Sequence, residues 1–349
     1  MSDAATPAIS CRHLWQVFGP NAKAELVSAL AAHGRDGNAA AAELRAKGLI
    51  PAVQDVSFDV RPGELFVIMG LSGSGKSTLV RCLSRLLDVT AGDVRIQGED
   101  IATASKARLI ELRRKKLGMV FQHFGLFPHM SVLDNVAYPL RVQGIGRAQR
   151  QAKAREVIEL VGLGGRESAF PRNLSGGQRQ RVGIARSLVG DCEVWFLDEP
   201  FSALDPLIRR QLQDEFLQIR AKLNTTIVFI THDIAEALKL ADRIAIMRDG
   251  KVIQIGTPSQ IVLNPVDDYV REFARDVAKG RHARVDSVMK PAHGTLAEGP
   301  SLREGMTLDA ALAACVAAQA PVAVRDGAGA VVGQIDPADL VSALHVEET

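Results

Sequence analysis

Gly70-Leu71-Ser72-Gly73-Ser74-Gly75-Lys76-Ser77-Thr78 is a glycine-rich stretch set between an apolar run and a helical pattern. Ahead of it, Leu65-Phe66-Val67-Ile68-Met69 reads as a strand buried on both faces. Behind it, Leu79, Val80, Cys82, Leu83, Leu86 and Leu87 recur at the helical period. Strand, glycine loop and helix in that order, at the spacing G-x-x-x-x-G-K-[ST], make a phosphate-binding loop. The glycines let backbone N–H groups wrap phosphates, and the helix N-terminus adds positive potential. In such a loop the lysine, Lys76, reaches the β- and γ-phosphates, and the hydroxyl of Ser77 ligates Mg²⁺.

The surrounding composition is that of an ordinary soluble protein: 349 residues, 47% hydrophobic and 23% charged, enough for a sizeable core and for two domains. No apolar run reaches membrane-spanning length, and the start lacks a basic n-region, so the chain is expected to stay in the cytosol. Cys11, Cys82, Cys192 and Cys315 lie far apart without a C-x-x-C pair, which argues for packing roles rather than zinc or disulfides. A net charge of only +2 argues against a dedicated nucleic-acid binder. The charge is uneven, however. Val285 to Thr349 carries three basic and nine acidic residues, against 39 and 31 from Met1 to Arg284, which places a domain boundary near Lys279-Gly280-Arg281-His282.

Along the chain, Ile9 to Gly19 reads as an edge strand, residues 23–47 as two short helices, and Val56, Phe58 and Val60 as a strand. Arg61-Pro62-Gly63-Glu64 is a turn into the buried strand, and Val94 to Gly98 a further strand and turn. Ser105 to Lys116 is a charged helix whose last residues, Arg113-Arg114-Lys115-Lys116, form a solvated face. Leu117 to Phe121 is a strand that delivers Gln122. From His123 to Val189 the pattern is helical, and strands return at Val194 to Leu197, Thr226 to Ile230 and Ile244 to Met247. Strands alternating with helices imply an α/β core with a helical insertion.

Five further stretches follow the phosphate loop in a telling order. Gln122 ends a strand, Leu174-Ser175-Gly176-Gly177-Gln178 opens a helix, and Trp195-Phe196-Leu197-Asp198-Glu199 closes a strand. Ser202-Ala203-Leu204-Asp205 comes next, and Thr231-His232-Asp233 closes a later strand. Residues at the carboxyl ends of parallel strands converge on one crevice, where open α/β sheets bind ligands.

With these residues together the chain resembles the ATPase subunits of ABC transporters over about Ile9 to Ala278: Walker A loop, glutamine loop, LSGGQ signature, Walker B with its glutamate, D-loop and switch histidine. The resemblance implies a P-loop NTPase fold of the α/β class with a helical subdomain at about 123–190, within an ATPase domain of residues 1–282. It implies ATP and Mg²⁺, with Gly70, Ser72, Gly73, Ser74, Gly75, Lys76, Ser77 and Thr78 around the phosphates. Ser77, Gln122 and Asp198 make up the metal environment, and the catalytic set is Lys76, Gln122, Glu199 as general base, and His232, which registers the γ-phosphate. Ser175, Gly176, Gly177 and Gln178 bind the ATP held by the opposite subunit, so that two copies share each nucleotide; Asp205 shapes that interface. Phe18 falls where the family places an aromatic against adenine, with Trp15 as the rival. Trp195, inside a buried strand, reads as core, and His123 and His129 lack metal-ligand companions.

Residues 21–50, a helical insertion, and residues 283–349, an acidic tail, resemble the glycine betaine/proline/choline importer ATPases, as do Phe201 to Arg209 and Asp267 to Arg271. That likeness implies a homodimer on the cytoplasmic face of the bacterial inner membrane, peripheral to an integral membrane permease and served by a periplasmic or lipid-anchored substrate-binding protein. In the tail, a helix from Leu308 to Ala318, a hairpin around Asp326-Gly327 and a helix from Pro337 to Leu344 capped by Asp336 look like one CBS motif. Sensing of ionic strength or nucleotide and plain packing both remain open for it. With aromatics at 5% no cage for a quaternary ammonium is visible here, so substrate choice falls to other subunits. Competing readings are an importer ATPase for another solute, or a soluble ABC ATPase acting on nucleic acid or ribosomes. The latter calls for heptad arms, zinc-binding cysteine clusters or a second cassette, none of which the sequence carries.

Overall fold

The computed structural model of the chain describes residues 6–121, 125–202, 204–223, 225–275, 277–292, 301–318 and 321–344. Strand β1 (Ile9–Phe18) leads into helices α1 (Ala22–Ala32) and α2 (Gly37–Ala46), then β2 (Ile50–Val60) and β3 (Leu65–Met69). Helix α3 (Lys76–Leu83) is followed by β4 (Ala91–Ile96), β5 (Glu99–Asp100), α4 (Lys106–Lys115) and β6 (Leu117–Val120). Helices α5 (Val132–Val142), α6 (Arg147–Leu160) and α7 (Gly176–Leu188) come next, then β7 (Val194–Asp198), α8 (Pro206–Ala221), β8 (Thr226–Thr231), α9 (Ile234–Leu240), β9 (Arg243–Arg248) and β10 (Lys251–Gly256). The remainder is α10 (Pro258–Leu263), α11 (Asp268–Ala274), α12 (Lys279–His282), β11 (Ser301–Arg303), α13 (Leu308–Ala317), β12 (Val322–Arg325), β13 (Val331–Ile335) and α14 (Pro337–Leu344).

Among the described residues the main sheet has six strands in the order β10-β9-β3-β8-β7-β6. Strands β3, β8, β7 and β6 run parallel, and every residue of β3, β7 and β8 is buried, as their unbroken apolar runs require. The register sets the functional edge. Met69 lies beside Thr231, Ile230 beside Asp198, and Leu197 beside Val120, so the ends of four strands line up. Phe216 on α8 packs against Trp195 and Phe229 of the sheet and against Phe201, with ring centroids 5.7 to 6.1 Å apart. Burial of each such ring is worth about 2–3 kcal/mol, which fixes α8 and the loop before it on the sheet.

A second sheet of four antiparallel strands has the order β2-β1-β4-β5. Here β1 is interior, paired on both sides, and not the edge strand its sequence suggests. Its inward residues Ile9, Cys11, Leu14, Trp15 and Val17 are all buried, and a bulge at His13 (φ 47°) breaks the simple alternation that would have announced this. The insertion forms two helices, as expected: Leu26, Ala29, Ala40, Ala41 and Leu44 close over Trp15 and Val17. Asp36 caps α2 by accepting from the Asn38 and Ala39 N–H groups. The helix behind the phosphate loop is shorter than its apolar pattern predicts. It stops at Leu83, Arg85 turns left-handed (φ 56°), and Leu86 is left 46% exposed.

The chain divides into two units, Met1–Glu236 with Ala245–Ile253, and Ala237–Ile244 with Gln254–Thr349. In the second unit Leu302, Leu308, Ala311, Cys315, Val322, Val324, Ile335 and Leu340 form a core of their own with Ala283 and Val285. Its sheet has the order β11-β12-β13, the first pair parallel and the second antiparallel. The hairpin turns at Asp326, whose carboxylate accepts from Ala328 and Ala330 N–H, and Asp336 accepts from Ala338 N–H at 2.8 Å as the cap of α14. Among the described residues no helix is long and apolar enough to cross a membrane.

Candidate active site

The phosphate loop leaves β3 through three glycines of positive φ, Gly70, Gly73 (φ 80°) and Gly75. Gly70 (φ 154°) and Gly75 (φ 97°) leave no room for a Cβ, which would come within 2.3 Å of the Met247 carbonyl oxygen and within 2.3 Å of the Ala52 carbonyl oxygen respectively. The Gly250 N–H donates to the Ser74 carbonyl at 3.0 Å, and Gln54 N–H to the Gly250 carbonyl, so the loop is anchored to β2 and to the β9–β10 turn. Ser72 and Gly73 are exposed at the tip, while Ser74 and Lys76 are each 5% exposed. The Lys76 ammonium donates to the carbonyls of Gly70 and Leu71 at 2.9 Å, which turns it into the loop. Burial pulls its pKa below the ordinary lysine range, partly opposed by Glu199 and Asp198.

At the end of β7, Asp198 accepts from the Ser77 hydroxyl at 3.0 Å. Burial pushes the Asp198 carboxyl up, and the Ser77 bond with the charges of Arg81 and Lys76 pulls it back. Glu199, the next residue, sits 3.1 Å through Oε2 from His232 Nδ1 at the end of β8. Thus Lys76, Ser77, Asp198, Glu199 and His232 meet along one strand edge, as their sequence spacing led us to expect. Gln122, called for both metal and catalysis, lies outside the described residues, as do His123 and Ala203.

These residues fit a nucleoside triphosphate and its metal. Among the described residues the Ser74 hydroxyl is buried with no hydrogen-bond partner and Gly75 starts α3 without a side-chain cap, while Gly70 and Gly75 form a cradle that any Cβ would fill. Ser77 and Asp198 supply hard oxygen donors. Mg²⁺ takes one or two protein oxygens and completes its shell with phosphates and water, a demand that this donor pair meets.

The signature stretch is built differently. Ser175 is the N-cap of α7 and exposed; its hydroxyl accepts from Gln178 N–H while the Gln178 side-chain oxygen accepts from Ser175 N–H, a reciprocal capping box. The Cβ position of Gly177 lies 3.0 Å from Ile208 and that of Gly176 3.6 Å from Leu204, so α8 and the loop before it brace this helix start. Asp205 caps α8 through Leu207 and Ile208 N–H, a framework role. Of the two adenine candidates, Trp15 is 2% exposed under the α1–α2 pair and has no face for a base. Phe18 is 39% exposed and pairs with Ile50, two residues before the Ala52 carbonyl that abuts Gly75.

Sequence reasoning missed two features. Glu199 has a left-handed backbone (φ 45°), against the extended conformation that the following Pro200 favours for its predecessor, so no local residue announces it. Glu236, buried one helical turn beyond His232 and bonded by Gln213 at 2.9 Å, looks in sequence like any charged helix residue. Its carboxyl is pushed up by burial, with hydrogen bonds from Thr231 and Gln213 opposing.

The ABC transporter family model matches residues 53–202. The chain is 54% identical to the trimethylamine N-oxide transport system ATP-binding protein TmoW of Ruegeria pomeroyi, over 87% of each chain. It is 48% identical to the protein of the same name from Pelagibacter ubique, over 100% of this chain and 99% of that one. The glycine betaine transport ATP-binding protein OpuAA of Bacillus subtilis is 51% identical over 71% of this chain and 60% of its own length. Among solved structures, the ATP-binding cassette MJ0796 in a dimeric post-hydrolysis state bound to ADP and Pi matches with a TM-score of 0.60 and 28% identity, covering 71% of this chain and 98% of that one.

Proposed function

The chain belongs to the ATP-binding subunits of ABC transporters, an ABC-type ATPase, and from that premise we propose that it powers uptake of a small trimethylamine-class solute by hydrolysing ATP at sites shared between two copies. The observation that carries the shared site is the placement of Ser175. It is exposed at a helix start whose cap is already satisfied within its own chain, while the residues suited to hydrolysis converge elsewhere around Lys76 and Glu199. The dimeric, nucleotide-bound state of the MJ0796 cassette supports that reading.

In this proposal the N–H groups of residues 70–78 wrap the triphosphate, and Lys76 exchanges its loop carbonyls for the β- and γ-phosphate oxygens. Ser77, Asp198 and Gln122 hold Mg²⁺, whose contribution when bound is to neutralise phosphate charge. Glu199 takes the proton of the attacking water as the bond from the γ-phosphorus to the departing ADP oxygen breaks, and His232 orients its carboxylate. Ser175, Gly176, Gly177 and Gln178 of the second copy close the site at its γ-phosphate end; Asp205 sets the loop that braces them, and Phe18 receives the adenine. Residues 1–282 act as the ATPase domain and 283–349 as a CBS-like module for regulation or dimerisation. A membrane permease and a substrate-binding protein complete the transporter, with this subunit peripheral on the cytoplasmic face.

Substrate class rests on the relatives. Those named for trimethylamine N-oxide transport align along nearly their full length, whereas the glycine betaine protein extends well beyond the match. Trimethylamine N-oxide is therefore our first choice, ahead of glycine betaine and choline, which share its trimethylated nitrogen. Proteoliposomes holding the subunit with its permease and binding protein test this: ATP-dependent uptake of labelled trimethylamine N-oxide, lost with Glu199→Gln, is expected. Uptake of none of the three solutes would overturn the assignment.

A further inference from the structure

Glu199 is held by the fold in a backbone conformation that residues with a Cβ avoid. Its φ of 45° is left-handed, and Pro200 behind it leaves extended backbone as the relaxed alternative. A return to that alternative would swing the Cα–Cβ bond and carry the carboxylate away from His232 Nδ1, now 3.1 Å distant. Among the described residues three hydrogen bonds oppose the swing. The Glu199 N–H donates to the Ile230 carbonyl of the neighbouring strand at 3.2 Å, and the Glu199 carbonyl accepts twice from Ser202, from its N–H at 3.3 Å and from its hydroxyl at 3.0 Å. Of the three, only the hydroxyl comes from a side chain, and it is the shortest.

We propose that Ser202 is a positioning residue for ATP hydrolysis, its hydroxyl gripping the Glu199 carbonyl so that the strained peptide stays turned and the carboxylate stays on His232. This rests on the reading of Glu199 as the base that takes the proton of the attacking water. Strained backbone at a reacting residue persists only where its surroundings over-determine it, and Ser202 supplies that over-determination here. The serine touches neither phosphate nor metal in this assignment; it acts through the peptide of its neighbour.

Ser202→Ala is expected to lower the single-turnover hydrolysis rate at saturating MgATP roughly 10- to 100-fold, the usual effect of a slightly misplaced catalytic group, while the Kd for MgATP changes less than about twofold. Ser202→Thr, which keeps the hydroxyl, is expected within about threefold of the wild type, and Ser202→Cys, a similar volume with a weaker donor, between the two. The deciding comparison is a double-mutant cycle. In a Glu199→Gln background, Ser202→Ala should remove nothing further, because the group it positions is already gone. A Ser202→Ala rate within about twofold of the wild type, or an equal loss in both backgrounds, overturns the proposal. Should the alanine variant fail to fold, the Thr-to-Cys ratio carries the test, and equal rates for the two overturn it. Normal hydrolysis by Glu199→Gln alone would instead sink the base assignment beneath it, so the two failures are distinguishable.

Discussion

Two helix starts in this chain are rich in glycine and serine, and they solve the problem of orphan N–H groups in opposite ways. Helix α3 begins at left-handed Gly75, next to a buried lysine and a buried serine hydroxyl, with neither a side-chain cap nor a partner for that hydroxyl among the described residues. Helix α7 begins at Ser175 in extended backbone, closed by a reciprocal capping box and open to solvent. The first has no side chain closing its N-terminus, and its Lys76 ammonium turns back onto the carbonyls of Gly70 and Leu71. The second is closed within its own chain, and in the proposed shared site its exposed serine faces the nucleotide of another copy. One sequence type thus gives an inward grip and an outward face, and what separates them is the backbone on either side.

The sharpest way to break that contrast is at the charges. Lys76→Ala should cost roughly 10³ in turnover and abolish ATP binding by the isolated chain; Ser175→Ala should leave that single-chain binding intact. Equilibrium binding of labelled ATP at dilutions where only monomer exists separates them, and equal losses would erase the distinction. Next in size are the glycines. Gly75→Ala forces a Cβ to 2.3 Å from the Ala52 carbonyl at a φ of 97°, and should destabilise the fold by about 3 kcal/mol or more, read from urea unfolding. Gly176→Ala, with its nearest neighbour at 3.6 Å, should fall within about 1 kcal/mol of the wild type in the same assay.

A smaller effect follows from the cap itself. Ser175→Ala removes the hydroxyl of the capping box and should lower stability by about 1 kcal/mol, with Ser175→Asp restoring most of it by thermal unfolding. The smallest is a pH effect confined to the α3 side. Burial lowers the folded pKa of Lys76 below its unfolded value of 10.5, so on acidification the unfolded chain takes up this proton first. Stability therefore rises with pH between the folded pKa and the unfolded one, and the penalty is fully present below that window. Urea unfolding in the alkaline range should show this rise in the wild type and lose it in Lys76→Met. The uncharged Ser175–Gln178 cap gives no such slope.

Much of the site was legible in the chain because its chemistry is local. The run from Leu65 to Met69, the change of period after Gly75, and Asp198, Glu199 and His232 at strand ends all show in short windows. What escaped depends on distant partners. Nothing in the residues of β1 shows that β4 will pair on its far side, or that α1 and α2 will bury Trp15 and leave Phe18 to face outward. Leu86 and Leu87 prolong an apolar pattern past the point where left-handed Arg85 ends the helix. The turned backbone of Glu199 is held by Ile230 and Ser202, one of them on another strand, against the extended backbone that Pro200 favours.

The most direct measurement of the shared site uses two cysteines. The four native thiols are all buried, so Ser72→Cys and Ser175→Cys, each placed at an exposed position in a Glu199→Gln chain, are the reactive pair under mild oxidation. With MgATP present, a disulfide joining Cys at 72 of one copy to Cys at 175 of the other, seen as a covalent dimer that vanishes without nucleotide, is the expected result. A crosslink formed only within single chains, or no dimer at any ATP concentration that saturates binding, would contradict it.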